Sequence, residues 1–144
     1  VAKLLRCGID NAFINNKLYH SRSLERTNLL INSFSTLKTL ADNKIAIVKV
    51  TQKLLDSTKT KMEDTEGIIS FIKDIDSVEV ACLLKEIGNK ETKISMRSKS
   101  YIDVAKICES FNGGGHIRAA GCTLYEDIET AERLITDIMM EVFR

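Results

Sequence analysis

At 144 residues the chain is long enough for one ordinary domain with a short appendage, and for a sizeable core. Its 44% hydrophobic and 28% charged residues are globular values that leave little room for disorder, and no apolar run approaches the roughly 20 residues of a membrane-spanning helix. A formal net charge of +1 gives no global field to recruit nucleic acid, so any nucleotide binding has to come from a local cluster.

The start at Val1 shows neither the n-region nor the cleavage pattern of a signal peptide, and the expected compartment is the cytoplasm. Cys7, Cys82, Cys108 and Cys122 lie far apart without a C-x-x-C pairing and read as small core residues of a reduced compartment. Cys108, His116 and Cys122 match no standard zinc spacing, and no fourth ligand is evident.

The stretch 1–16 opens on Val1, Ala2, Leu4 and Leu5 without an N-cap, as expected for the end of an element whose partner lies N-terminal to it. Ser23 is placed to cap a long helix over 23–41, with Leu30, Phe34, Leu37 and Ala41 on one stripe. That stripe fits either a core face or a connector standing partly apart from the domain. The β-branched run Ile45 to Val50 predicts a strand covered on both faces, and Thr51 a cap for a short helix through Leu55. The Ser, Thr and Lys-rich stretch from Asp56 to Met62 predicts a loop, and Asp64 or Thr65 a cap for a helical run from Ile68 to Ile72.

Alternation then takes over. Val78, Val80, Cys82 and Leu84 fall on one face of a strand, Gly88-Asn89 predicts a hairpin turn, and Thr92 to Ser98 alternates again. In this second strand Lys93, Ser95 and Arg97 point away from Thr92, Ile94, Met96 and Ser98. Arg97 is thus either a solvated edge residue or a phosphate clamp. A helix over 103–111 with a Val104, Ile107, Cys108 and Phe111 stripe leads into Gly113-Gly114-Gly115-His116-Ile117-Arg118-Ala119-Ala120-Gly121. Cys122 to Tyr125 predicts a last strand, and Asp127 a cap for a final helix carrying Ala131, Leu134, Ile135, Ile138 and Val142.

Ordinary packing does not readily explain the nonapeptide. Three consecutive glycines are entropically costly and normally answer a need for positive φ or close backbone approach. With His116 to Ala120 read as a short helical run, the N–H groups of Gly114, Gly115 and His116 would form a helix N-terminus facing an anion, beside one titratable donor and one fixed cation. A plain turn between two helices is the other reading.

The string resembles the G-G-G-H-x-x-A-A-G signature of the DHH-associated C-terminal domain of DHH-family phosphoesterases. Asp64-Thr65-Glu66-Gly67, Val78-Glu79-Val80-Ala81 and Met96-Arg97-Ser98 stand in the order that family shows, over about Asn43 to Arg144. Within the family the chain resembles the bacterial bifunctional oligoribonucleases that also dephosphorylate adenosine 3′,5′-bisphosphate. The resemblance implies an α/β fold, a small mixed sheet of about four to five strands covered by helices and preceded by a connector helix. Residues 1–42 would be the tail of a catalytic domain plus the connector, and 43–144 the substrate-binding domain.

By the same resemblance, Arg97, Ser98, Gly113, Gly114, Gly115 and His116 would contact substrate phosphate. Arg118 is a lesser candidate, since its position in the motif tolerates different residues. The family's catalytic domain carries Asp and His ligands for two manganese ions. This chain has only His20 and His116, neither beside an Asp, so it is expected to hold no metal, no cofactor and no catalytic residue of its own. The implied function is recognition of short RNA, a cyclic dinucleotide or a 3′,5′-bisphosphorylated nucleotide for an Mn²⁺-dependent phosphodiesterase or phosphatase. The implied partners are the nucleotide or short single-stranded nucleic acid and an N-terminal DHH domain, not a membrane; homodimerisation through the connector is a further option. The alternative is a non-catalytic nucleic-acid-binding module like the C-terminal domain of alanyl-tRNA synthetases. A basic tracking face would mark that alternative, and Lys90, Lys93, Arg97 and Lys99 are interspersed with acids.

Overall fold

The computed structural model describes residues 22–143. The expectation for 1–16, together with Cys7 and His20, lies outside them. One mixed sheet of six strands organises the rest, in the order β1-β2-β3-β4-β6-β5. The elements run α1 (Leu24–Phe34), β1 (Lys38–Leu40), β2 (Ile45–Val50), α2 (Gln52–Thr58), a 3₁₀ turn (Met62–Thr65), α3 (Ile68–Lys73), β3 (Val80–Gly88), β4 (Glu91–Ser98), α4 (Val104–Glu109), β5 (Gly114–His116), β6 (Ala119–Leu124) and α5 (Ile128–Val142). β2 and β3 are parallel, joined by the α2–α3 crossover, and every other pairing is antiparallel.

The mixed α/β class expected from the sequence is the one observed, with two short edge strands beyond the expected number. β2 is buried on both faces, as a continuous β-branched run requires. One core lies between the sheet and α4 and α5, where Ile47, Cys82, Leu84, Ile94 and Met96 meet Val104, Ile107, Ile135 and Met139. The other lies under α1, α2 and α3, where Ala46, Val48, Val50, Ala81 and Leu83 meet Leu29, Leu55, Ile68 and Ile72. No residue of β4, β5 or β6 belongs to this second core. On that side α3 still packs against β4, and the second face opens only toward β6 and β5.

Four local expectations are corrected. The first helix stops at Phe34, because Ser35 and Thr36 turn their N–H groups back onto Asn32 and Ser33 and the Thr36 hydroxyl accepts from Lys49 N–H at 2.9 Å. Lys38–Leu40 becomes an edge strand, turning into β2 through Ala41, Asp42 and Asn43, all at positive φ. Helix α2 runs past Leu55 to Thr58, and Met62 opens the 3₁₀ turn. The cap of α3 is Gly67 at φ 91°; Asp64 instead accepts from Lys61 N–H at 2.8 Å within the 3₁₀ turn and pairs with Arg26 at 2.8 Å. Val78 precedes β3 and joins the second core, opposite to Val80, Cys82 and Leu84.

Nor does α1 stand clear of the sheet. Ser23 caps it as expected, accepting from Arg26 N–H, and Leu29 is fully buried in the second core. Leu29→Ala should therefore destabilise the fold by about 2–4 kcal/mol in a urea titration. A loss below about 0.5 kcal/mol, the size of a surface substitution, would return α1 to the free-connector reading.

On the α5 side Glu132 is buried and sits 2.6 Å from Lys49 and 2.9 Å from Lys38. Burial raises the Glu132 carboxyl, but the two ammonium groups outweigh it and hold it below the usual carboxylate range. The network ties β1 and β2 to the final helix, which Asp127 caps by accepting from Thr130 N–H at 2.9 Å. Of the stripe expected on that helix, Ala131 and Ile135 are buried, whereas Leu134 and Val142 are exposed.

Candidate functional site

The nonapeptide folds as a β-hairpin. The expected helix over 116–120 is absent: Gly114–His116 is β5, Ala119–Leu124 is β6, and Ile117 and Arg118 form the turn. Local helix propensity at His116, Arg118, Ala119 and Ala120 yields to pairing of β6 with the long strand β4. The helix N-terminus expected to face an anion therefore does not exist.

The glycines divide by function. Gly113 donates its N–H to Cys108 O at 2.9 Å, and a Cβ there would lie 2.4 Å from both Cys122 Cβ and Gly121 O. Gly115 has φ 148°, and a Cβ would lie 2.5 Å from Ala119 O. A Cβ on Gly121 would meet Ile94 O at 2.8 Å. These three are required by packing or backbone conformation. Gly114 differs, because a Cβ there meets nothing within 4 Å.

Two of the expected phosphate contacts are engaged in holding the hairpin. The Ser98 hydroxyl donates to Ile102 O at 2.7 Å, and Ser98 is buried. The Arg118 guanidinium donates to Ile102 O at 2.8 Å and to Ser100 O. Val104 N–H donates to Ile117 O at 3.0 Å, and Ser98 N–H to Arg118 O at 3.2 Å. The 99–102 loop that receives Arg118 is itself clamped by buried Glu79. Its carboxylate accepts from the N–H groups of Ser100, Tyr101 and Ile102 at 2.8–3.1 Å and from the Ser100 hydroxyl at 2.8 Å. Burial pushes the Glu79 carboxyl up, and these hydrogen bonds more than reverse it, holding it below the usual range. The sequence reading assigned Glu79 no role; its only signal was an acid inside an apolar strand.

Arg97 and His116 remain. Arg97 of β4 is opposite Ala119 of β6, which is opposite His116 of β5. Directly paired residues of antiparallel strands share a face, so the guanidinium and imidazole stand on one row. The next row is Ser95, Gly121 and Gly114, and the third is Lys85, Lys93 and Thr123. All lie on the face opposite α4 and α5, where Lys93, Gly114 and His116 are exposed and Lys85, Ser95 and Arg97 are half-buried. Arg97 makes a hydrogen bond to Met96 O at 2.9 Å, and among the described residues no carboxylate is in ion-pair range of it. His116 is exposed.

Lys85, Lys93 and Arg97 thus share one face of the sheet, with Glu91 at its end. Burial lowers the Lys85 ammonium, Lys93 and Arg97 push it further the same way, and nearby Glu66 opposes them. Alternation in β4 already put Lys93 with Arg97, and hairpin register adds Lys85.

Cys82, Cys108 and Cys122 are buried free thiols. The hydrogen bond to Cys122, together with burial, pushes the Cys108 thiol far above the usual range, which removes it as a nucleophile. Among the described residues no three His, Cys, Asp or Glu side chains converge as metal ligands. Nor, among them, is any helix long and apolar enough to cross a membrane.

Residues 42–141 match the DHHA1 domain, and the chain belongs to that family, the DHH-associated domain of DHH-family proteins. It is 30% identical over 84 residues to the bifunctional oligoribonuclease and PAP phosphatase NrnA of Thermus thermophilus, covering 57% of this chain and 26% of that protein. An exopolyphosphatase-related protein from Bacteroides fragilis superposes with a TM-score of 0.89 at 28% identity, over 99% of this chain and 42% of the other. A pGpG-specific phosphodiesterase, PggH, from Vibrio cholerae shares the fold, with a TM-score of 0.56 at 15% identity, over 97% of this chain and 46% of the other. The chain thus spans between a quarter and a half of the length of these relatives.

Proposed function

We propose that this chain is the substrate-recognition part of a metal-dependent phosphoesterase. Residues 43–144 would hold a phosphate of a nucleotide or short single-stranded nucleic acid between Arg97 and His116, with 1–42 linking to a DHH catalytic domain. The observation that carries this reading is the Arg97–Ala119–His116 row on the sheet face opposite α4 and α5, with no carboxylate among the described residues paired to Arg97. A guanidinium without a carboxylate partner presents its fork to phosphate oxygens, and imidazole adds a second donor. Gly114 leaves room for the ligand to approach the strand. Ser98 and Arg118 contribute by fixing the hairpin, not by direct contact.

The described residues do not fit a manganese centre, so hydrolysis is assigned to the DHH domain and no chemical step is assigned here. The name of the Thermus thermophilus relative, an oligoribonuclease and PAP phosphatase, supports a phosphorylated nucleotide as ligand, in a compartment expected to be cytoplasmic. A tracking module for long RNA would need an extended basic surface. The face here carries three cations and fits a short ligand.

Calorimetric titration with adenosine 3′,5′-bisphosphate tests the reading. Arg97→Ala should lose about 1.5–3 kcal/mol of binding, the size of a charge-assisted hydrogen bond, with folding unchanged. The wild-type chain supplied with Mn²⁺ should bind without turnover. Equal affinity for both proteins, or turnover abolished by a substitution among these residues, would reject the assignment.

A further inference from the structure

The three rows on the sheet face opposite α4 and α5 have a polarity that a single phosphate site does not require. Arg97 and His116 form one bank. Lys93, with Lys85 beside it, forms the other, four residues along β4 or about 13 Å away. Between them Ser95, Gly121 and Gly114 make a lane with one short side chain and two glycines.

Lys85 and Lys93 are direct cross-strand neighbours. Like charges in that position destabilise a sheet, and their Cβ atoms stand only about 5 Å apart. Neither forms an ion pair among the described residues, whose salt bridges all lie elsewhere. Glu66 is the acid within electrostatic reach of Lys85, and it does not bridge the pair. An anion seated between the two ammonium groups would remove the repulsion.

We infer that Lys85 and Lys93 form a second phosphate anchor, which makes the site selective for an oligonucleotide whose sugar and base cross the glycine lane, over a ligand with one phosphate. The inference rests on the Arg97 reading above and goes beyond it by naming the residues that read ligand length. The first bank holds one phosphate, the bare lane admits the flat nucleoside against the strand backbones, and the lysine pair takes a later phosphate of the same strand.

The test compares the 144-residue chain with its Lys93→Gln and Arg97→Ala variants, titrated with adenosine 5′-monophosphate and the 5′-phosphorylated trinucleotide pApApA. Lys93→Gln should lower the ratio of trinucleotide to mononucleotide affinity about tenfold, as expected for one charge-assisted contact. It should also flatten the salt dependence of trinucleotide binding by about 0.7 in log–log slope. Without ligand, the same variant should melt at a higher temperature than wild type, since one repelling charge is gone. A merely structural lysine would not combine a stability gain with a selective binding loss. An unchanged affinity ratio, with Arg97→Ala still weakening both ligands, would overturn the second anchor and spare the first. No effect of Arg97→Ala on either ligand would sink both.

Discussion

Replacing Glu79 with alanine is expected to cost about 2–4 kcal/mol of stability at neutral pH, one of the larger single losses available outside the hydrophobic cores. The carboxylate is buried and receives three backbone N–H groups and one hydroxyl from the 99–102 loop. Truncation strands those donors, and part of the cost is relieved because Ser100 and Tyr101 lie near solvent. Glu79→Gln keeps the shape but turns an amide NH₂ toward N–H donors, so it should recover only part of the loss. Because the folded state lowers the Glu79 pKa, its contribution is complete above the unfolded carboxylate value, near 4.3, and disappears as pH falls through the folded one. Urea titrations at pH 7 and pH 3 should show the gap between wild type and Glu79→Ala shrinking in acid. A gap that is absent at pH 7, or constant with pH, would contradict the clamp. The same loop carries the carbonyls that fix Arg118, so faster amide exchange at the hairpin turn should accompany the loss.

Gly113→Ala should be at least as damaging, by about 3 kcal/mol or more. Its Cβ would lie 2.4 Å from a backbone oxygen and from Cys122 Cβ, and neither is the tip of a flexible side chain. Relief requires moving α4 away from β6, which opens the core around Cys108 and Ile107. Gly114→Ala supplies the contrast within the same triplet. With open space above it, the fold should stay within about 0.5 kcal/mol of wild type, while nucleotide affinity falls because the methyl group stands where the ligand approaches. Thermal melts and calorimetry on the two variants separate the packing glycine from the one proposed to face the ligand. Equal melting temperatures for both would show that position 113 tolerates a side chain after all.

Periodicity made the central architecture legible. The apolar run of β2, the alternation on both sides of Gly88-Asn89 and the stripe of α5 each report burial directly. What stayed hidden depended on partners distant in sequence. Leu37 and Ala41 continue the helical stripe of Leu30 and Phe34, and only pairing with β2 makes an edge strand of 38–40. The Gly-rich motif identified the family, yet its local propensity pointed to a helix because β4, some 25 residues upstream, sets its conformation. Arg97 and His116 were legible as polar residues at element ends. That Ser98 and Arg118 are occupied by carbonyls, and that Lys85 joins Lys93, required the register. Glu79 was the hardest to read, since its partners come from a loop of ordinary composition.

The two outermost strands, β1 and β5, are each three residues long. An unpaired sheet edge invites another chain to add a strand and so propagate fibrils, and proline is a common device against this. This sequence contains no proline. Shortness does the work here, because three residues give an incoming strand few main-chain partners, and the bare glycines of β5 offer it almost no side chains to interlock with. The open edge of this hairpin is thereby a poor template for polymerisation.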